Sequence, residues 1–176
     1  MDLASNDEVK ALLREHGAML TLLEECRDGN AAAITQLLDG GADVEAKGEG
    51  GNTPLCAAAA HGHLDTVQAL LARGASVAAT NSRQMTALLE AAFKRHSAVV
   101  EVLLKAGSDI NATSHSGRTA LMYAAQKGDA ETLRILAEHG ADQELRNKQG
   151  KSALDLASND EVKEQLSASW GAVASS

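Results

Sequence analysis

Residues Thr53–Ser76 read TPLCAAAAHGHLDTVQALLARGAS. Thr53 is a helix N-cap type, and Pro54 follows at the first helical position, where its missing N–H costs nothing. The alanine run then predicts a thin first helix that can approach its neighbours closely. Gly62 breaks it. The next segment places Leu64, Val67, Leu70 and Leu71 on one apolar helical face, and Gly74 is positioned to end that helix. From Ala75 to Met85 the chain is rich in Ser, Thr and Asn and reads as a loop.

The same pattern recurs. Thr86 opens TALLEAAFKRHSAVVEVLLKAGSD, Thr119 opens TALMYAAQKGDAETLRILAEHGAD, and Ser152 opens SALDLASNDEVKEQL. These starts lie 33 residues apart, as do Gly41, Gly74, Gly107 and Gly140. Counting back once more puts Leu20, Leu22, Gly29, Ile34, Leu37 and Leu38 in the corresponding slots. Five units therefore begin near residues 20, 53, 86, 119 and 152, the first with a degenerate start and the last truncated. One helix pair cannot bury its own apolar face, whereas stacked pairs bury a continuous core.

Composition agrees with such a stack. Apolar residues make up 44% of the 176-residue chain but aromatics only 2%, so the core is built from Ala, Leu, Val and Ile. No apolar run reaches the roughly 18 residues a membrane span needs, and the acidic start MDLASNDE is unlike a secretory signal. Cys26 and Cys56 make no disulfide framework, so a cytoplasmic protein is expected. The net charge of −8 argues against general nucleic-acid binding.

The stretches GNTPLCAAAAHGHLDTVQALLARGA (Gly51–Ala75), GRTALMYAAQKGDAETLRILAEHGAD (Gly117–Asp142) and KAGSDINATSHSGRTAL (Lys105–Leu121) resemble ankyrin repeats. The resemblance covers about residues 20–166. It implies an all-α solenoid of stacked helix pairs with β-hairpin loops, whose first helices and loops line a concave protein-binding face. One departure concerns the family's TPLH tetrad. Its His slot here holds Cys56, Leu89, Met122 and Asp155, so the hydrogen bond from that slot to the Thr is expected to be missing.

The ends share a segment. DLASNDEVK occurs at Asp2–Lys10 and again at Asp155–Lys163. The second copy closes the array as a capping repeat, with Asn159 or Asp160 able to cap its helix. The first reads as the back half of a preceding repeat, with Val9, Leu12, Leu13 and His16 on one face. It meets the next helix either at a tight corner at Gly17 or within one bent helix from Asp7 to Glu25. The His-Gly pair, matching the other helix ends, favours the corner. The expected organisation is a helical segment at 1–18, repeats over 19–166 and a disordered tail at 167–176 containing Trp170. An open solenoid end is apolar, and the polar residues of the shared segment would cover it. Exchange of these segments between chains would give self-assembly, but a capped stack needs no partner, and a monomer is expected.

No residues converge on catalysis. The six histidines fall at turns and helix ends without metal-ligand spacing, and Cys26 and Cys56 sit in small core slots. GEGG at Gly48–Gly51 lacks the Lys-Ser/Thr of a phosphate loop. The expectation is a non-enzyme without cofactor or metal. Asn111 in LLKAGSDIN resembles the site used by asparaginyl hydroxylases on ankyrin repeats, beside the simpler reading of a hairpin Asn.

Mapping the family's loop-tip and inner-helix slots onto this chain gathers eight of its sixteen Lys and Arg with one of its twenty-four acidic residues. The expected binding residues are Lys47, His61, Arg83, Met85, Phe93, Lys94, His115, Arg118, Tyr123, Lys127, Arg146, Lys148 and Lys151. Phe93, the single Phe, sits among them, and aromatics and Arg are the types that anchor interfaces. The partner is expected to be an acidic peptide or protein. The alternative is an engineered or structural solenoid without a specific ligand, which the duplicated cap favours.

Overall fold

The computed structural model describes Gly17 and residues 21–173, with side chains through residue 168. Its described part contains nine α-helices: α1 (21–28), α2 (Ala31–Asp39), α3 (Pro54–His61), α4 (Leu64–Ala72), α5 (Ala87–Lys94), α6 (Ser97–Lys105), α7 (Ala120–Lys127), α8 (Ala130–Glu138) and α9 (Asp160–Val173). Inner helices stack as α3 on α5 on α7, and outer helices as α2 on α4 on α6 on α8. The fold is an all-helical repeat solenoid.

Local chemistry sets each repeat. The hydroxyls of Thr53, Thr86 and Thr119 accept from the backbone N–H groups of Cys56, Leu89 and Met122 at 3.2, 3.3 and 3.3 Å. This satisfies an amide that an α-helix start leaves without a partner. Alanines fill the inner face, and Ala58, Ala59, Ala91, Ala92, Ala124 and Ala125 are fully buried. Large side chains interleave between the layers, with Leu55, Leu88 and Leu121 buried in the same slot of successive repeats.

The inner helices end on left-handed residues: Gly62 at φ +76°, Arg95 at +67° and Gly128 at +65°. A second need for glycine comes from the next repeat. A Cβ on Gly29 or Gly62 would lie 2.5 Å from Nδ1 of His63 or His96. Those rings are held by Nε2, which bonds the carbonyls of Arg27 at 2.6 Å and Ala60 at 3.2 Å. The residue following in that series is Asp129, whose carboxylate instead turns back to accept from Thr132. The position it would cover is Arg95.

The loops are tight fingers, and the described residues contain no β-strand. Each tip closes on itself, as in Asn81 N–H to Met85 C=O at 3.1 Å and Asn147 N–H to Lys151 C=O at 3.0 Å. Neighbouring fingers are joined by Ser82 N–H to Gly50 C=O, His115 N–H to Arg83 C=O and Lys148 N–H to Ser116 C=O. Asn81 and Asn147 hold their tips from inside, each Oδ1 accepting two backbone N–H groups.

Three details depart from the sequence expectation. Gly17 itself is helical, where a break was favoured, and its carbonyl accepts from the Thr21 hydroxyl at 2.9 Å. Glycine tolerates helical backbone, though less favourably than other residues do. Residues 1–16, with the first shared segment, lie outside the described part. At the other end α9 runs through Ser167 to Val173, where an unstructured tail was expected. Helical hydrogen bonding already in register continues past the last buried residue, Leu166. The Trp170 side chain lies outside the described part. Lastly, the expected loss of the bond between His slot and capping residue does not hold in the final repeat. There Asp155 accepts from the N–H and hydroxyl of Ser152, both at 2.9 Å. These bonds, with Arg146 nearby, hold the Asp155 carboxyl below its ordinary pKa.

The second copy of the shared segment packs onto the fourth repeat. A short turn at Leu154–Leu156 packs on α7 and α9 packs on α8. Asn159 Oδ1 caps α9 by accepting from Val162 N–H at 2.9 Å, and Val162 and Leu166 enter the core.

Candidate binding face

The finger tips and the ends of the inner helices meet along one side of the stack. Hollows lie between successive tips. The first, beside Glu49, Asn52 and Ser82, is polar, and so is the third, beside His115, Arg118 and Lys148. The middle one, between the second and third fingers, has a volume of about 360 Å3 and an apolar floor of Met85, Phe93 and Tyr123. Ser82, Arg83 and His115 stand on its walls.

The floor is specific to this junction. The Phe93 slot holds Ala60 and Gln126 in the flanking repeats, and the Met85 slot holds Asn52 and Arg118. Phe93 and Tyr123 meet edge to face, with centroids 5.4 Å apart and planes at 71°. This geometry places the positive ring edge on the negative face. The Tyr123 hydroxyl donates to Ser114 Oγ at 3.1 Å, which satisfies a buried polar group.

Cations surround these rings. Lys127 Nζ stands 4.5 Å and Lys94 Nζ 5.6 Å from the Phe93 centroid, and the Arg118 guanidinium 5.9 Å from that of Tyr123. Both lysines are exposed and, among the described residues, neither has a carboxylate partner. Arg118 also donates to Gln126 at 2.7 Å.

Not every cation picked from the sequence is free. Arg83 donates at 2.7 Å to Glu90, whose side chain is only 3% exposed and which also accepts from Asn81 at 2.9 Å. A buried carboxylate needs a charged partner, and Arg83 fills that role. Arg146 pairs with Asp155 at 3.3 Å, and Lys47 reaches the Thr80 carbonyl. Met85 and Tyr123 are 3% and 8% exposed, so they offer only their edges to the hollow rather than projecting as interface side chains. Lys148 and Lys151 are exposed on the last finger. His61 stacks on His63 at 6.1 Å, away from the middle hollow. Burial first, then positive His63, Arg27, Lys94 and His96, hold its pKa below the ordinary histidine value.

Asn81, Glu90 and Ser114 escaped the sequence selection. Glu90 had a signal: it is an acid in a slot that holds Ala57 in the preceding repeat and Tyr123 in the following one. Asn111 bridges repeats, its Oδ1 accepting from Asp142 N–H at 3.0 Å. The two thiols are free and buried. Burial, reinforced by Glu25, pushes Cys26 up to about 12, and burial also raises Cys56. Neither is poised as a nucleophile. No group of metal ligands gathers among the described residues, and no described helix is long and apolar enough to cross a membrane.

A family model described as ankyrin repeats (3 copies) matches residues 22–114 and 107–169. The chain belongs to the ankyrin repeat family. Ankyrin repeats are generally protein–protein interaction modules. No curated protein matches the sequence.

Proposed function

We propose that this ankyrin repeat chain is a non-catalytic binding module that takes an acidic peptide or protein patch on its basic inner face. The observation that carries the reading is the Phe93 ring on the floor of an apolar hollow, flanked by Lys94 and Lys127, two exposed ammonium groups without a carboxylate partner among the described residues. Lys148, Lys151 and Arg118 extend the positive field along the fingers. Such a field steers an acidic ligand, and the aromatic floor supplies desolvated contact. The module works as a monomer in the cytoplasm, where its two buried thiols stay reduced.

The test compares capture from cell extract by the parent protein and by a Lys94→Glu/Arg118→Glu/Lys127→Glu variant. Arg83 is left intact because Glu90 needs it. A partner that binds the purified parent directly, is shed by salt and is lost by the variant supports the reading. Equal retention by both proteins, or capture by neither, overturns it and leaves the structural or engineered solenoid as the better account.

A further inference from the structure

We infer that the middle hollow selects an extended peptide segment carrying a bulky apolar side chain and, two residues away, a carboxylate. This rests on the reading of the inner face as a peptide-binding surface and adds what the peptide must contain.

The hollow sets the first requirement. Its volume of about 360 Å3 is at the small end of ligand sites, which run from about 300 to 1,000 Å3. It admits even the largest natural side chain. Its floor combines a ring edge, a ring face and the Met85 sulfur, and these favour an aromatic or long aliphatic side chain. The flanking hollows lack such a floor, so the face offers one anchor rather than a row of them.

The lysines set the second requirement. Their ammonium groups stand 4.5 and 5.6 Å from the ring that the anchor would cover. An apolar side chain placed against Phe93 strips water from both. That cost is recovered only if the same ligand brings a negative group to them. In an extended chain alternate side chains share a face at about 7 Å spacing. This matches the step from the ring to a carboxylate hydrogen-bonded to Lys94 or Lys127. A carboxylate one residue away would point to the opposite face.

Arg83 does not supply the clamp, since Glu90 already holds it at 2.7 Å. The selectivity is therefore lodged in Phe93, Lys94 and Lys127, three residues from two adjacent inner helices.

The test is selection of a display library of random, unstructured peptides on the full chain. The selected peptides are then measured against the parent, Lys94→Ala/Lys127→Ala and Phe93→Ala. The lysine variant keeps the fold testable because both side chains are exposed. The expected result is enrichment of a bulky apolar residue with Asp or Glu two positions before or after it. Affinity for such peptides should fall by about tenfold or more in each variant. Enriched acidic peptides without a fixed apolar partner would overturn this inference while leaving the basic-face reading intact. Peptides with the pair that bind both variants normally would also overturn it. Enrichment without any acidic preference, or none at all, would overturn both.

Discussion

The second and third repeats share a backbone but solve two of its demands differently. The second has Gly51 at its finger tip and Gly62 at the end of its inner helix, both with positive φ. The third has Gln84 at φ +55° and Arg95 at φ +67° in the same places, the two non-glycine residues of positive φ among the described residues. Glycine takes that conformation freely, and other residues are strained in it. At Gly62 glycine is needed twice, because the His96 ring occupies the space of a Cβ. At Arg95 the overlying residue is Asp129, turned away to cap its own helix, so a side chain fits at the cost of backbone strain. The same third repeat carries Glu90 where the second has Ala57, and Phe93 where the second has Ala60. The repeat that departs furthest from its neighbours is the one that builds the candidate site.

Four experiments would break or sharpen that contrast. The largest effect is expected for Gly62→Ala. It combines left-handed strain with overlap of the His96 ring and should destabilise the stack by about 2–4 kcal/mol. A urea midpoint equal to that of the parent would show that the ring, not the glycine, sets this junction.

Glu90→Ala comes next, at about 1–2 kcal/mol, because it removes buried hydrogen bonds to Asn81 and Arg83. The same variant frees Arg83, so binding of an acidic peptide should become tighter and more salt-sensitive. Unchanged binding would mean that Arg83 does not face the ligand.

Arg95→Gly should act oppositely, raising stability by up to about 1 kcal/mol, read as a higher urea midpoint, through relief of the left-handed residue. Destabilisation here would show that the Arg95 side chain makes a contribution greater than the strain.

The smallest effect concerns pH. His61 resists protonation in the folded state, so the unfolded chain binds more protons as pH falls through 6.5, and stability declines in that window. His61→Gln should flatten the Tm–pH profile there.

The 33-residue period, the N-capping Thr53, Thr86 and Thr119, and the apolar helix faces were legible from sequence, and each stands in the structure. They were legible because every repeat meets a copy of itself, so the same local problem recurs with the same answer. The site was legible only as a composition. Sequence placed Phe93, Lys94 and Lys127 on one face, but it did not show that Arg83 and Arg146 pair with carboxylates or that Met85 and Tyr123 are largely buried.

What the sequence alone determined is thus the repeat: its length, helix starts, loop positions and Ala-rich core, all fixed by interactions within a turn or two of the chain. What only the tertiary structure decided is which charges are spent inside the protein and which remain for a ligand. Arg83 is claimed by Glu90 seven residues on, whereas Lys127 crosses a repeat boundary to stand over Phe93. Coulombic pairing and desolvation depend on distance through space and on burial, and a stack folds residues 33 apart in sequence into neighbours.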